Sequence, residues 1–163
     1  MWLTEDSPLG RIVVPPSLPP GFALFATTRD YPGKIVAHEL TGVLRERFGV
    51  EATLTTCVQI HSATVTRARH EHSWRECDSC DALWTDERHV ALGIKVADCL
   101  PVSLIDPGHH VIANIHERGP ARAALTGQDG SDFGCQMPDG LTRRIHYVPF
   151  SLSSEILAAG KVC

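Results

Sequence analysis

Apolar and β-branched residues fall in short runs separated by turn chemistry along most of this chain, and one segment changes to a helical period. Phe22-Ala-Leu-Phe-Ala-Thr-Thr28 predicts a strand, and Tyr31-Pro-Gly33 a turn. Over Lys34 to Phe48, the residues Ile35, Val36, Leu40, Val43, Leu44 and Phe48 recur near helical spacing. That spacing predicts an amphipathic helix, and Gly49 suits the position just past its end. Thr53 to Ile60 is rich in threonine and β-branched residues and predicts β structure. His70 to Ser79 is polar and predicts a surface loop.

Val90 to Val96 and Val102 to Ile105 predict two further strands. Asp106-Pro-Gly108 supplies turn chemistry before His110 to Ile115 returns as a strand. Farther on, Gly127 to Gly140 is rich in Gly, Asp and Ser. Ile145 to Val148 predicts a short strand, and Ser154 to Ala159 a last helical turn. Pro15-Pro-Ser-Leu-Pro-Pro20 forms a stiff extended lead-in, because proline fixes φ and removes a donor. The chain carries no internal repeat and no low-complexity tract.

The hairpin predicted around Asp106 brings the neighbourhoods of Cys99 and His116 together. Cys99 ends the apolar approach Val90 to Ala97 and is flanked by Asp98 and Leu100-Pro101. His61, in Gln59-Ile-His61-Ser62, has to arrive by non-local pairing. One thiol and two imidazoles suit zinc, and three protein ligands leave a fourth position for water, as in catalytic sites. Zinc can lower the pKa of such a water to about 7. The plain alternative is a buried small cysteine with histidines satisfied at strand ends. A metal-free alternative makes Cys99 a nucleophile and His116 or His61 its base.

Other constellations carry less. His70-Glu-His72 followed by Cys77 and Cys80 offers four ligands for a closed structural zinc, but a lone CxxC is a weak signal. A redox CxxC would need a strand-to-helix junction that the pattern lacks. His109-His110 reads as an exposed turn. Trp2, Trp74 and Trp84 form no stacking platform, and Trp84 reads as packing or a pocket wall. Asp98 reads equally as a turn residue or as a group that orients a ligand.

Composition narrows the class of protein. With 163 residues the chain suits one domain burying roughly two-thirds of its unfolded surface. A formal net charge of −4 gives no electrostatic reason to expect nucleic acid or an anionic membrane as partner. No apolar run approaches the roughly twenty residues that span a bilayer. The acidic start Met1-Trp-Leu-Thr-Glu-Asp6 lacks a signal-peptide charge pattern, so the cytoplasm is the expected compartment. There, Cys57, Cys77, Cys80, Cys99, Cys135 and Cys163 are expected to be thiols rather than a disulfide framework.

Several blocks together resemble one known family. Gln59-Ile-His61-Ser-Ala-Thr-Val65, Asp81-Ala-Leu-Trp-Thr85, Val90-Ala-Leu-Gly-Ile-Lys-Val-Ala-Asp-Cys99-Leu-Pro-Val102 and Ile112-Ala-Asn-Ile-His116 follow in the order of the YfiH-type laccase-domain signature. Phe25-Ala-Thr-Thr-Arg29 resembles its N-terminal FTTR element, so the likeness runs from about residue 22 to 116. It implies an α+β fold of layered mixed β-sheets flanked by helices, in a single domain over 1–163. It also implies His61, Cys99 and His116 as zinc-site and catalytic residues. Purine nucleosides and phosphate would be the substrates: phosphorolysis of adenosine, inosine, guanosine or methylthioadenosine, with deamination of adenosine. Copper and polyphenol oxidation correspond to the older family label.

Two departures bear on this. Where the family has H-A-G-W-R-G, this chain has His116-Glu-Arg118-Gly119-Pro120, so the tryptophan is absent and Arg118 stands closer to the histidine. Arg118 is the candidate for substrate or phosphate binding, with Arg122 a weaker substitute. Tyr147-Val-Pro-Phe-Ser-Leu152 only faintly echoes the family's later GPSIG-like element. The sequence thus divides into a Pro-rich lead-in over 1–20, the signature-bearing middle, and a divergent segment over 117–163 expected to be C-terminally incomplete. A non-catalytic metal-binding member and a Cys/His thiol hydrolase remain alternatives. Self-association through an uncovered apolar face is a further expectation.

Overall fold

The unbroken apolar run at Phe22–Thr27 has a simple cause: both faces of this strand are covered. The computed structural model describes residues 3–28, 30–31, 37–72, 76–96, 99–117, 133–136, 142–149 and 156–161. In chain order its strands are β1 (Leu3–Ser7), β2 (Gly10–Val14), β3 (Phe22–Thr27), β4 (Thr53–Cys57), β5 (Val65–Arg67), β6 (Glu76–Cys77) and β7 (Ala82–Thr85). They continue as β8 (Val90–Lys95), β9 (Leu100–Asp106), β10 (Val111–Glu117), β11 (Phe133–Gln136), β12 (Thr142–Pro149) and β13 (Ile156–Lys161). The helix α1 spans Ala37–Phe48, between β3 and β4.

Two mixed sheets result, of order β1-β2-β3-β13-β8-β4-β6 and β11-β12-β9-β10-β7-β5. One face of the first sheet packs on the second through Phe22, Leu24, Leu92 and Ile94 against Leu83, Ile105 and Ile112. The opposite face packs under the helix, where Ala23, Phe25 and Leu54 meet Leu40, Val43 and Leu44. Alternate side chains of β3 therefore enter different cores, which is why the strand reads as continuously apolar rather than alternating. The arrangement is the α+β class of layered mixed sheets, with one flanking helix among the described residues. No helix among those residues is long and apolar enough to cross a membrane.

Gly49 ends α1 as its position suggests. Its φ is +68°, its N–H donates to the Arg45 carbonyl at 3.0 Å, and the Val50 N–H reaches the Leu44 carbonyl at 3.0 Å. These bonds satisfy carbonyls that the helix end would leave unpaired. The Tyr31-Pro-Gly33 turn and the first residues of the expected helix fall largely outside the described residues.

Four expectations require correction or addition. Ser154 to Ala159 is not a helical turn where described: β13 lies antiparallel between β3 and β8. Pairing on both sides overrides the helix preference of Leu157, Ala158 and Ala159. The β structure from Thr53 stops at Cys57 rather than Ile60. The polar stretch after His70 holds a short 3-10 turn (His70–His72), but Cys77 is buried where β6 pairs with β4. Upstream of the prolines, β1 and β2 form an antiparallel hairpin that extends the larger sheet, an element the hydropathy pattern did not signal.

Candidate metal centre

The β9–β10 hairpin fixes two members of the candidate site. Its register runs from Val111 opposite Asp106 to Glu117 opposite Leu100, and places His116 opposite Pro101. Cys99 therefore stands immediately before one arm while His116 lies near the end of the other. The turn is held by Asp106, which accepts from the His109 N–H at 3.0 Å and contacts His109 Nδ1 at 2.8 Å. His109 and His110 are exposed on that turn, as the sequence suggests.

His61 arrives on the loop after β4. Its φ is +58°, a left-handed conformation that histidine adopts more readily than most residues. Asp81 holds the loop in this shape. One carboxylate oxygen accepts from the His61 N–H at 3.0 Å, and the other accepts from the N–H groups of Ile60 and Ser62 and from the Ser62 hydroxyl at 2.9 Å. β5 anchors the far end of the loop by parallel pairing with β7. Gln59 anchors the near end through two hydrogen bonds to the main chain of Lys95.

With these constraints, one potential ligand atom each from His61, Cys99 and His116 lies within 4.8 Å of the other two. The two imidazole centroids are 5.1 Å apart, with their planes inclined by 49°. His116 is buried at 8% exposure, Cys99 is half-buried and His61 is exposed, so the cluster opens to solvent on the His61 side. Among the described residues, this is the one His/Cys/Asp/Glu group with such convergence.

Asp81 also contacts the third arm. Its Oδ1 lies 3.2 Å from His116 Nδ1, and its carbonyl accepts from the His116 N–H at 2.8 Å. Burial pushes the Asp81 carboxyl up, but the Ser62 N–H and hydroxyl, His116 and the His61 N–H together hold it at about 2. Enough donors face the carboxylate to keep it ionised despite its burial. No spacing or composition signal in the sequence gives Asp81 a role. An aspartate before an apolar strand ordinarily reads as a turn or cap, and only its place at the head of the Asp81-Ala-Leu-Trp-Thr85 block marked it.

The competing constellations do not converge. Cys77 and Cys80 are buried beside Cys57, whereas His70 is exposed and His72 uses Nδ1 to accept from the Arg69 N–H at 3.2 Å. Trp84 is a half-buried packing residue on β7, with the Arg67 guanidinium 5.2 Å from its ring centre. Asp98, Arg118 and Arg122 lie outside the described residues, as do Trp2 and Trp74.

Residues 22–122 match the family described as multi-copper polyphenol oxidoreductase laccase. The chain belongs to this laccase-domain family. Over 96 residues, 58% of its length, it is 33% identical to the purine nucleoside phosphorylase SCO2081 of Streptomyces coelicolor. Over 59 residues, 36% of its length, it is 44% identical to the purine nucleoside phosphorylase Cgl2154/cg2365 of Corynebacterium glutamicum. These matches span only 39% and 24% of the two relatives. The crystal structure of YlmD from Geobacillus stearothermophilus superposes with a TM-score of 0.51 at 18% identity, covering 61% of this chain and 46% of that one. That likeness shows a shared fold.

A laccase domain implies a metal, and the donor set fits one. Two imidazoles and a thiol are ligands for a borderline or soft ion, and both zinc and copper fall in that range. The three donor groups converge with His61 on the exposed side.

Proposed function

We propose that His61, Cys99 and His116 hold a zinc ion and that the chain acts on purine nucleosides. The observation that carries this reading is the convergence of the three donors within 4.8 Å. The two relatives named purine nucleoside phosphorylase supply the substrate class. In this reading phosphate cleaves adenosine, inosine, guanosine or methylthioadenosine, and water deaminates adenosine. When bound, the ion supplies Lewis acidity toward an oxygen ligand. In phosphorolysis a phosphate oxygen bonds to ribose C1′, the bond from C1′ to purine N9 breaks, and the base leaves with that electron pair and takes up a proton. Arg118, two residues beyond His116, is assigned to pair with phosphate, for which a guanidinium is well suited.

The test combines metal content with turnover. Protein prepared in metal-free buffer and reloaded with zinc should carry one ion per chain and convert adenosine or inosine with phosphate to free base and ribose 1-phosphate. His61→Ala should reduce both. Full turnover after exhaustive chelation would contradict a metal-dependent reaction. Stoichiometric zinc with no turnover of any purine nucleoside would contradict the substrate assignment.

One observation favours a second reading. Asp81 against His116 Nδ1, with Cys99 nearby, has the order of a thiol–imidazole–carboxylate triad. In that case the Cys99 sulfur bonds to the acyl carbon of an ester as His116 takes its proton, the acyl–oxygen bond breaks with the alcohol leaving on that proton, and water then cleaves the thioester to the acid and the free thiol. The metal reading is preferred because it also uses His61, which a triad leaves without a task. Chelator-resistant hydrolysis of a thiol-reactive ester, abolished by Cys99→Ser, would favour the triad.

A further inference from the structure

We propose that Asp81 is the positioning residue of this centre, a single carboxylate that sets two of its three ligands at once; the inference rests on the metal-centre reading above. The observations come from separate parts of the chain. Asp81 Oδ1 accepts from the His61 N–H at 3.0 Å and lies 3.2 Å from His116 Nδ1. Oδ2 accepts from Ile60 and Ser62, the residues on either side of His61. Three successive N–H groups thus wrap one carboxylate, which fixes the left-handed turn at His61. The same oxygen that restrains His61 orients the ring of His116.

The chemistry of this contact selects a tautomer. A carboxylate accepts and cannot donate, so His116 presents Nδ1–H to Asp81 and leaves Nε2 as its bare nitrogen for a metal. At 2% exposure Asp81 is shielded from water that would otherwise compete for its oxygens. Asn has nearly the same shape but cannot reproduce the arrangement. Its amide nitrogen donates, so one carboxylate position would face the N–H groups of Ile60 and Ser62, or that of His61 with His116, without accepting from them. Removing an outer partner of a metal-ligating histidine commonly weakens metal binding by about 10- to 100-fold.

The test is zinc affinity by competition with a chromophoric chelator, comparing wild type with Asp81→Asn, together with the thermal midpoint of each metal-free protein. The expected result is one zinc per chain in both and a dissociation constant about 10- to 100-fold larger in Asp81→Asn. Equal affinities in two folded proteins would overturn the role of Asp81 while leaving the metal centre intact. Absence of zinc binding in wild type would overturn the metal reading and this inference with it. Should Asp81→Asn fail to fold, nitrogen-15 NMR of metal-free wild type decides. The neutral ring of His116 is expected as the Nδ1–H tautomer, and a dominant Nε2–H tautomer would overturn the proposal. A purely structural role for Asp81 would not fix that tautomer.

Discussion

The side chain of Gln59 pairs with the main chain of Lys95 as another strand residue would. Gln59 Nε2 donates to the Lys95 carbonyl at 2.7 Å, and the Lys95 N–H donates to Gln59 Oε1 at 2.7 Å. β4 has already ended at Cys57, so this side-chain amide takes over at the end of β8. It also tethers the loop two residues before His61.

Gln59→Ala should therefore act at two levels. Loss of two partly exposed hydrogen bonds should cost about 1 kcal/mol of stability, read as a lower denaturation midpoint in urea. The looser loop should also weaken zinc binding. An unchanged midpoint together with unchanged affinity would show that the pairing restrains nothing.

Asn114 links the two sheets behind the site. Its Oδ1 accepts from the Ser103 hydroxyl at 2.7 Å, and its Nδ2 donates across the core to the Leu92 carbonyl at 2.8 Å. The side chain is at 0% exposure, so water cannot replace it without entering the core. Asn114→Ala should destabilise by about 2 kcal/mol, because it leaves the buried Ser103 hydroxyl and Leu92 carbonyl short of a partner. Equilibrium unfolding checks this, and a change under about 0.5 kcal/mol would mean those groups find other partners.

The thiols should separate by reactivity. Burial pushes the Cys57 and Cys77 thiols up, and the neighbouring Cys80 adds to both. A thiol is alkylated as its thiolate, so these two should resist iodoacetamide at pH 8 in the folded protein. Half-buried Cys99 should be labelled before these two, and zinc should slow that labelling. Peptide mass spectrometry reads the order. Labelling of Cys57 or Cys77 as fast as Cys99 in the native state would contradict it.

The parts of this fold legible in the sequence are those whose signal is local. Phe22–Thr27, Val90–Lys95 and the hairpin around Asp106 carry their apolar runs and turn residues with them. Ile156–Lys161 does not, since its short Leu-Ala-Ala core suits a helix until β3 and β8 claim both its edges. The site divides in the same way. Cys99 and His116 approach through a hairpin that the sequence announces. His61 reaches them through Asp81, a contact spanning twenty residues with no periodic signature. The three candidate ligands stand out in the sequence as one thiol and two imidazoles and again through the resemblance, whereas the carboxylate that contacts two of them becomes visible only in three dimensions.

The proposed metal centre joins His61, Cys99 and His116 on a single ion. Its most direct test is a cobalt(II) titration of the metal-free protein followed by absorption spectroscopy, with cobalt standing in for zinc. Wild type should saturate at one equivalent, with a thiolate-to-cobalt charge-transfer band that disappears in Cys99→Ala. His61→Ala and His116→Ala should each weaken binding and alter the visible bands. Tight one-to-one binding with an unchanged spectrum in all three variants, or no binding in wild type, would contradict the account.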